Sequence, residues 1–350
     1  MRSQLLLSIA FAASACSDPS ESDDPSTPVD IPSEVRRRID DAVTDGFSGA
    51  ILVTVDGERL ATEGHGFADR ELELLNTEGT AFDVGSILKS FTATAIFKLA
   101  ESGELELSDT LSTFFSDVPP DKADITLLEV VQHRAGFDEF HDTTGDFEPM
   151  TRLEARAHIF AQELLFEPGS GEAYSNSGYT LLADVIETVS GEAYTDTVRQ
   201  VAFEPAGMHA SGFYSEALWQ DVETAIGYDA STFGDNDPAT WPYTWALVGN
   251  GGLVTTVVDL DRWLTALFDG SVVSAETFEQ LRTDYLSTGA ADVGGETVYA
   301  EAGAGDYGLG GTAVYALGRD TRVIVATNAF EVFDIEEFAV DLALLALGEE

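Results

Sequence analysis

The chain has 350 residues, 44% of them hydrophobic, with 63 acidic against 17 basic side chains and a formal net charge of −46 at pH 7. That length buries a sizeable core, as one large domain or two closely packed ones, and that charge repels phosphate backbones, which excludes a nucleic-acid partner. After the first 15 positions no apolar run is long enough to span a membrane, and the single cysteine, Cys16, leaves no disulfide within the chain.

The acidic excess reads as a solvated shell suited to high salt, where counterions screen self-repulsion, and so points to a halophilic or marine source. At the N-terminus, Met1-Arg2 precedes the apolar stretch Leu5–Ala13 and the small residues Ser14-Ala15. Residues 1–15 therefore read as a secretory signal peptide, too short for a transmembrane helix. The arrangement resembles a bacterial lipoprotein signal, with Cys16 the lipidated first residue of a protein anchored at the periplasmic or exterior face. An ordinary cleaved signal with an incidental cysteine, giving a secreted soluble protein, is the alternative. Residues 16–31 are acidic and rich in Ser and Pro and read as a disordered tether. The folded domain then covers 32–350, with no internal repeat.

Ser33 is placed to cap a helix running from Glu34 through Val43. Gly49–Val55 and Glu58–Gly64, split by Asp56-Gly57, predict a β-hairpin. Helix is expected over 86–101, closed by Ser102-Gly103. From about 104 to 260 the pattern is mostly helical with long loops: one helix at 126–132 ending at His133-Arg-Ala-Gly136, one at 178–190 stopped by Gly191, one at 259–268. Strand character returns at Thr297–Ala300, Thr312–Leu317 and Arg322–Thr327, with a turn at Gly318–Thr321, and a last helix covers Ile335–Leu347. The fold class is α/β (α+β): an antiparallel sheet built from both ends of the chain (about 32–82 and 290–350), flanked by helices, with an inserted helical lobe (about 83–289). A cleft between two such lobes is a natural binding site.

The chemistry concentrates in two places. Ser86 and Lys89 sit three apart at a helix start, which sets a hydroxyl beside an amine. An ordinary helix start would look the same, so this pair takes its meaning from the rest of the chain. A serine hydroxyl needs a neighbouring base, and Lys serves as one when burial lowers its pKa. A helix N-terminus also offers free N–H groups to an oxyanion. The second place is Phe166–Tyr179, where Tyr174 and Asn176 lie two apart in a Gly-rich loop before a helix. Tyr174 can relay a proton and Asn176 can hold a substrate carbonyl; a packed ring and a turn former would look alike.

Several landmarks occur in order: Ser86-x-x-Lys89, His133-x-x-Gly136 and Pro168-Gly169…Tyr174-Ser-Asn176-Ser-Gly178-Tyr. Phe203-x-Pro-x-Gly-Met208, Gly251-Gly-Leu-Val-Thr-Thr-x-x-Asp259 and Ala326-Thr-Asn328 follow. Over about 45–345 the chain resembles the serine β-lactamase and penicillin-binding protein superfamily, in the branch of class C β-lactamases, D-Ala-D-Ala carboxypeptidases and β-lactamase-like esterases. The resemblance implies an acyl-enzyme on Ser86 with Lys89 as its base, Tyr174 as proton relay and Asn176 as a substrate-positioning residue. It gives His133 a part in shaping a turn. It implies no cofactor and no metal, in keeping with five scattered His that lack ligand spacing.

One motif departs. The family's Lys-Thr-Gly or His-x-Gly strand motif falls at Glu301-Ala302-Gly303-Ala304, so Glu301 takes the basic position, while the backbone near Gly303 and Ala304 can still complete an oxyanion hole. A carboxylate at Glu301 would oppose a substrate carboxylate by about 1 kcal/mol or more. The expected partner is therefore a small ester, amide or peptide, neutral or bearing an amine, and not an efficiently hydrolysed β-lactam. The competing reading is a catalytically impaired member of the fold, kept as a binding or cell-envelope protein. An α/β-hydrolase is excluded because no Gly-x-Ser-x-Gly elbow exists.

Overall fold

The structure is a computed structural model that describes residues 30–141, 145–228 and 236–349. The expected signal peptide, Cys16 and nearly all of the tether lie outside the described residues. Among those residues no helix is long and apolar enough to cross a membrane.

Gly49–Val55 is buried along its whole length, and its alternate side chains feed two cores. Ile51 and Val53 join Val323, Val325, Val35 and Leu342, while Ala50 and Leu52 join Ile324, Ala326 and Phe91 on the opposite face. This is the period-2 geometry of a strand covered on both sides. In chain order, helix α1 (Ile31–Thr44) precedes the hairpin β1 (Gly49–Val55) and β2 (Glu58–His65). The short pair β3 (Phe67–Asp69) and β4 (Leu74–Leu75) and strand β5 (Phe82–Asp83) lead to a tight turn at Gly85–Ile87 and helix α2 (Leu88–Glu101). Helices α3 (Leu111–Phe114), α4 (Leu127–Val131), α5 (Arg152–Ala161), α6 (Asn176–Ser190), α7 (Tyr194–Val198) and α8 (Glu204–Ala206) follow. Strands β6 (Gly212–Phe213) and β7 (Leu253–Thr255) and helices α9 (Val257–Asp269) and α10 (Ala275–Asp284) complete the middle. The chain closes with β8 (Ala290–Val293), β9 (Glu296–Ala304), β10 (Gly310–Ala316), β11 (Thr321–Thr327) and α11 (Ile335–Leu347).

The main sheet is antiparallel in the order β2-β1-β11-β10-β9-β8, so its N-terminal hairpin and C-terminal strands form one layer. Helices α1 and α11 cover one face; α2, α9 and the helical lobe cover the other. At the centre of that second core the Phe91 ring on α2 stacks on Trp263 of α9 at 4.2 Å.

Local signals end the helices as the side chains dictate. Thr126 and Thr151 form capping boxes with Glu129 and Glu154, and Gly191 closes α6 with φ of 72°. Helix α1 corrects the sequence reading. It begins at Ile31, with Pro32 in its first turn where no N–H is needed, and Ser33 lies inside it, its hydroxyl bonded to the Asp30 carboxylate at 2.7 Å. The helix thus takes in Ile31, the last residue that the sequence reading gave to the tether. Helices α5 and α10 and strand β8 add to the elements that the sequence pattern brings out.

A second, three-stranded sheet positions the site. β7 pairs with β5 on one side and β6 on the other, and the Val84 N–H donates to the Leu253 carbonyl at 3.0 Å. The residues just before Ser86 are therefore fixed to the helical lobe before α2 begins.

Candidate active site

Ser86 lies in the tight turn that leads into α2, one turn of chain before Lys89. Gly85 makes this entry possible, because its φ of +50° is costly for a residue with a Cβ. Helix α2 is buried on all sides from Leu88 to Phe97, so Lys89 is carried into the interior, 2% exposed. Its Nζ donates to Ser86 Oγ at 3.0 Å and to the Asn250 carbonyl at 2.6 Å. Burial lowers the Lys89 pKa to about 7, against the pull of the Asp146 and Glu139 carboxylates, which favour the charged form. An amine that is largely neutral just above pH 7 can take the proton of Ser86.

Tyr174 approaches from the loop before α6 and its hydroxyl donates to Ser86 Oγ at 2.6 Å. Burial raises the phenol above its ordinary range, so it stays protonated and able to hand a proton on. The Tyr174 ring lies 4.9 Å from Lys89 Nζ and 4.8 Å from the His133 ring. His133 has a positive φ of 57°, and its Nδ1 accepts the Ser175 N–H at 3.1 Å. Burial and nearby Lys89 hold the imidazole neutral, with a pKa of about 3. Ser175 in turn caps α6 through the Gly178 N–H at 2.9 Å. Asn176 is the first residue of α6; its N–H is tied to the Glu139 carbonyl at 2.9 Å, and its side-chain oxygen is buried with no hydrogen-bond partner among the described residues.

Strand β9 supplies the third wall. β8 runs beside it only as far as Tyr299, and beyond that point the Ser86 turn takes the place of a strand. A Cβ on Gly303 would lie 2.1 Å from the Val84 carbonyl and 2.4 Å from the Ser86 nitrogen, and one on Gly85 would lie 2.3 Å from the Ala304 carbonyl. Two backbones touch here, and both contacts require glycine. The Gly305 N–H donates to Leu309 across the β10 side at 2.9 Å. Strand alternation then turns the Ala304 amide the other way, towards Ser86. The Ser86 and Ala304 amides are thus adjacent donors suited to a developing oxyanion.

Glu301 lies on the face of β9 that meets α2, opposite Ala313 of β10. Its carboxyl faces the hydroxyls of Ser90 and Tyr285, the latter 3.5 Å from Oε1. Burial pushes its pKa up to about 7, while these two hydroxyls pull it down. The sequence reading placed a full negative charge at this position. Burial beside the Ser90 and Tyr285 hydroxyls makes it a carboxyl that changes charge near neutrality.

The fold therefore brings Ser86, Lys89 and Tyr174 into direct contact and sets Gly303 and Ala304 against the Ser86 turn, while no hydrogen bond among the described residues joins the Asn176 side-chain oxygen to them. Sequence reasoning did not find Glu139 and Asp146, whose carboxylates act on Lys89, nor Asn250, whose carbonyl orients Nζ. Burial pushes the Asp146 carboxyl up and Lys89 pulls it down. A backbone carbonyl leaves no side-chain signal, and one acidic residue among 63 does not stand out. No grouping of three or more His, Cys, Asp or Glu able to hold a metal ion occurs among the described residues.

Comparison with known proteins gives consistent matches. The family model "Beta-lactamase" matches residues 35–345. A Bacillus subtilis (strain 168) protein named as penicillin-binding protein PbpX is 32% identical over 241 residues, 68% of this chain and 59% of that protein. D-aminopeptidase of Brucella anthropi is 27% identical over 229 residues, 62% of this chain and 42% of that protein. The aligned stretch thus covers only about half of these relatives. Among solved structures, the octameric penicillin-binding protein homologue from Pyrococcus abyssi superposes with a TM-score of 0.79 at 26% identity, over 92% of this chain and 78% of that one. D-amino acid amidase from Ochrobactrum anthropi SV3, in complex with L-phenylalanine amide, shares the fold with a TM-score of 0.78 at 22% identity, over 91% and 99% of the two chains.

Proposed function

The chain belongs to the Beta-lactamase family, and from that premise we propose that it is a serine hydrolase that forms an acyl-enzyme on Ser86 from small esters or amides. The observation that carries the reading is the placement of two proton-transfer groups on one nucleophile: Lys89 Nζ at 3.0 Å and the Tyr174 hydroxyl at 2.6 Å from Ser86 Oγ. Neutral Lys89 takes the Ser86 proton as Oγ attacks the carbonyl carbon. The carbonyl oxygen becomes an oxyanion facing the Ser86 and Ala304 amides. Collapse of this intermediate breaks the bond to the leaving alcohol or amine, which receives a proton through Tyr174 and Lys89. Water then attacks the acyl-enzyme, returns a proton to the same groups, and releases the carboxylic acid with Ser86 restored.

The charges around Lys89 support the substrate class. The Glu139 and Asp146 carboxylates act on Lys89, Glu301 adds a third carboxyl on β9, and Lys89 itself is held near neutrality. Such a site favours a substrate that is neutral or carries an amine over one that presents a carboxylate. The name of the D-aminopeptidase relative is in keeping with an amine-bearing substrate. Export and lipidation at Cys16 belong to this proposal as the route that places the enzyme outside the cytoplasm.

A fluorophosphonate probe tests the nucleophile: the expected result is one label on Ser86, lost in Ser86→Ala, whereas an unlabelled protein would favour the non-catalytic reading. A panel of nitrophenyl esters, D-amino acid amides and a chromogenic cephalosporin tests the substrate class, with fast cephalosporin turnover counting against it. On the best substrate, kcat/KM should rise with pH and level off above about 7 as Lys89 loses its proton. A profile flat from pH 5 to 9 would remove Lys89 as the base.

A further inference from the structure

Asp83 is 1% exposed and lies two residues before the Ser86 turn's Gly85. Its two carboxylate oxygens serve different parts of the site. Oδ1 accepts the Gly85 N–H at 3.0 Å, and Oδ2 accepts the Tyr214 hydroxyl at 2.7 Å. Gly305 presses on the same group, for a Cβ there would lie 2.3 Å from Oδ2. Gly305 is the residue immediately after Ala304, and its N–H is fixed to Leu309 in the turn between β9 and β10. Asp83 is itself held in register by pairing with Val254 of β7. One buried side chain therefore touches the turn that carries the Ser86 amide and the strand end that carries the Ala304 amide, while Tyr214 braces it from behind.

We propose that Asp83 is a positioning residue that fixes the separation of the Ser86 and Ala304 amides, the two donors of the oxyanion hole. Such donors act because they already point to where charge will develop, and their spacing is worth as much as their presence. The proposal rests on the reading of Ser86 as the acylated nucleophile. It assigns Asp83 no contact with substrate and no proton transfer. Asparagine can keep both contacts, its carbonyl accepting from Gly85 and its amide donating to the Tyr214 oxygen. Alanine keeps neither and leaves space between the turn and Gly305.

The test compares Asp83→Ala, Asp83→Asn and Tyr214→Phe with the unmodified protein, normalised to the Ser86 that a fluorophosphonate labels at end point. The expected result is a kcat about 10- to 100-fold lower for Asp83→Ala with KM changed less than about threefold, and near-complete rescue in Asp83→Asn. A matched ester and thionoester pair separates positioning from general loss of structure. Sulfur is a weak acceptor for these amides, so the oxygen-over-sulfur preference of the unmodified enzyme should fall at least about fivefold in Asp83→Ala. An unchanged preference, or a kcat per labelled Ser86 within about twofold of the unmodified enzyme, would overturn the proposal. If Asp83→Ala does not fold, Tyr214→Phe carries the same comparison, with a smaller fall expected and an unchanged preference again decisive against it. Absence of label on the unmodified protein would instead defeat the underlying reading of Ser86.

Discussion

At the scale of single residues, burial sets the charges of this site more than residue type does. Lys89 is basic by composition yet is held near pH 7 because its amine is removed from water, where it donates to the Asn250 carbonyl and Ser86 Oγ. Glu301 shows the opposite shift for the same reason. A carboxyl whose folded pKa lies above its unfolded value costs nothing while protonated in both states, and the folded state loses stability as pH rises from about 4.5 to about 7. Glu301→Gln removes that loss. Its melting temperature should match that of the unmodified protein at pH 4 and exceed it at pH 8, where its unfolding free energy is higher by on the order of 1–3 kcal/mol. Equal melting temperatures at pH 8 would show that the carboxyl reaches water in the folded protein. Residue types announced Ser86, Lys89 and Tyr174 as a workable set, but the state of each group depends on neighbours remote in sequence, such as Asp146 and Glu139.

At the scale of elements, the site is a junction between a turn and a strand. The Asp56-Gly57 hairpin, the Gly191 stop and the helix at Ile335–Leu347 were legible because each is specified within a few residues. The start of α1 was not, because proline in the first turn and a serine cap compete for the same few positions. Nor was the contact between β9 and the Gly85–Ser86 turn, which joins segments more than two hundred residues apart. The glycines on either side make that contact specific. Gly303→Ala would force a Cβ onto the Val84 carbonyl and the Ser86 nitrogen. We expect a stability loss of about 1–3 kcal/mol together with a drop of about 100-fold or more in the rate of Ser86 labelling. Thermal melting and labelling kinetics check this, and a labelling rate within about threefold of the unmodified protein would mean that the turn and the strand do not act as one unit.

At the scale of the whole molecule the charge dominates. Matched charge for charge against every Lys and Arg, the acidic side chains remain 46 in excess. Many basic groups are already engaged, as in the Arg322 and Arg59 pairs to Asp261 and the Arg152 and Arg156 pairs to Asp184. The remaining repulsion is solvent-exposed and therefore screened by salt. The melting temperature should rise steadily from low salt to molar salt, with sodium chloride and potassium chloride alike; no gain across that range would remove the expectation of adaptation to high salt.

The sequence by itself determined the sheet built from both chain ends and the helical middle, and it singled out Ser86, Lys89 and Tyr174 as candidates for one site. The elements follow from local spacing and alternation, which act over a few residues, and the candidates from the ordered motifs that resemble the family. Only the tertiary structure decided the charge of Glu301, the acidic groups around Lys89, and the seating of Ser86 against Gly303 and Ala304. Each of those depends on desolvation or close packing between distant segments, and neither is written in the order of residues around any one of them.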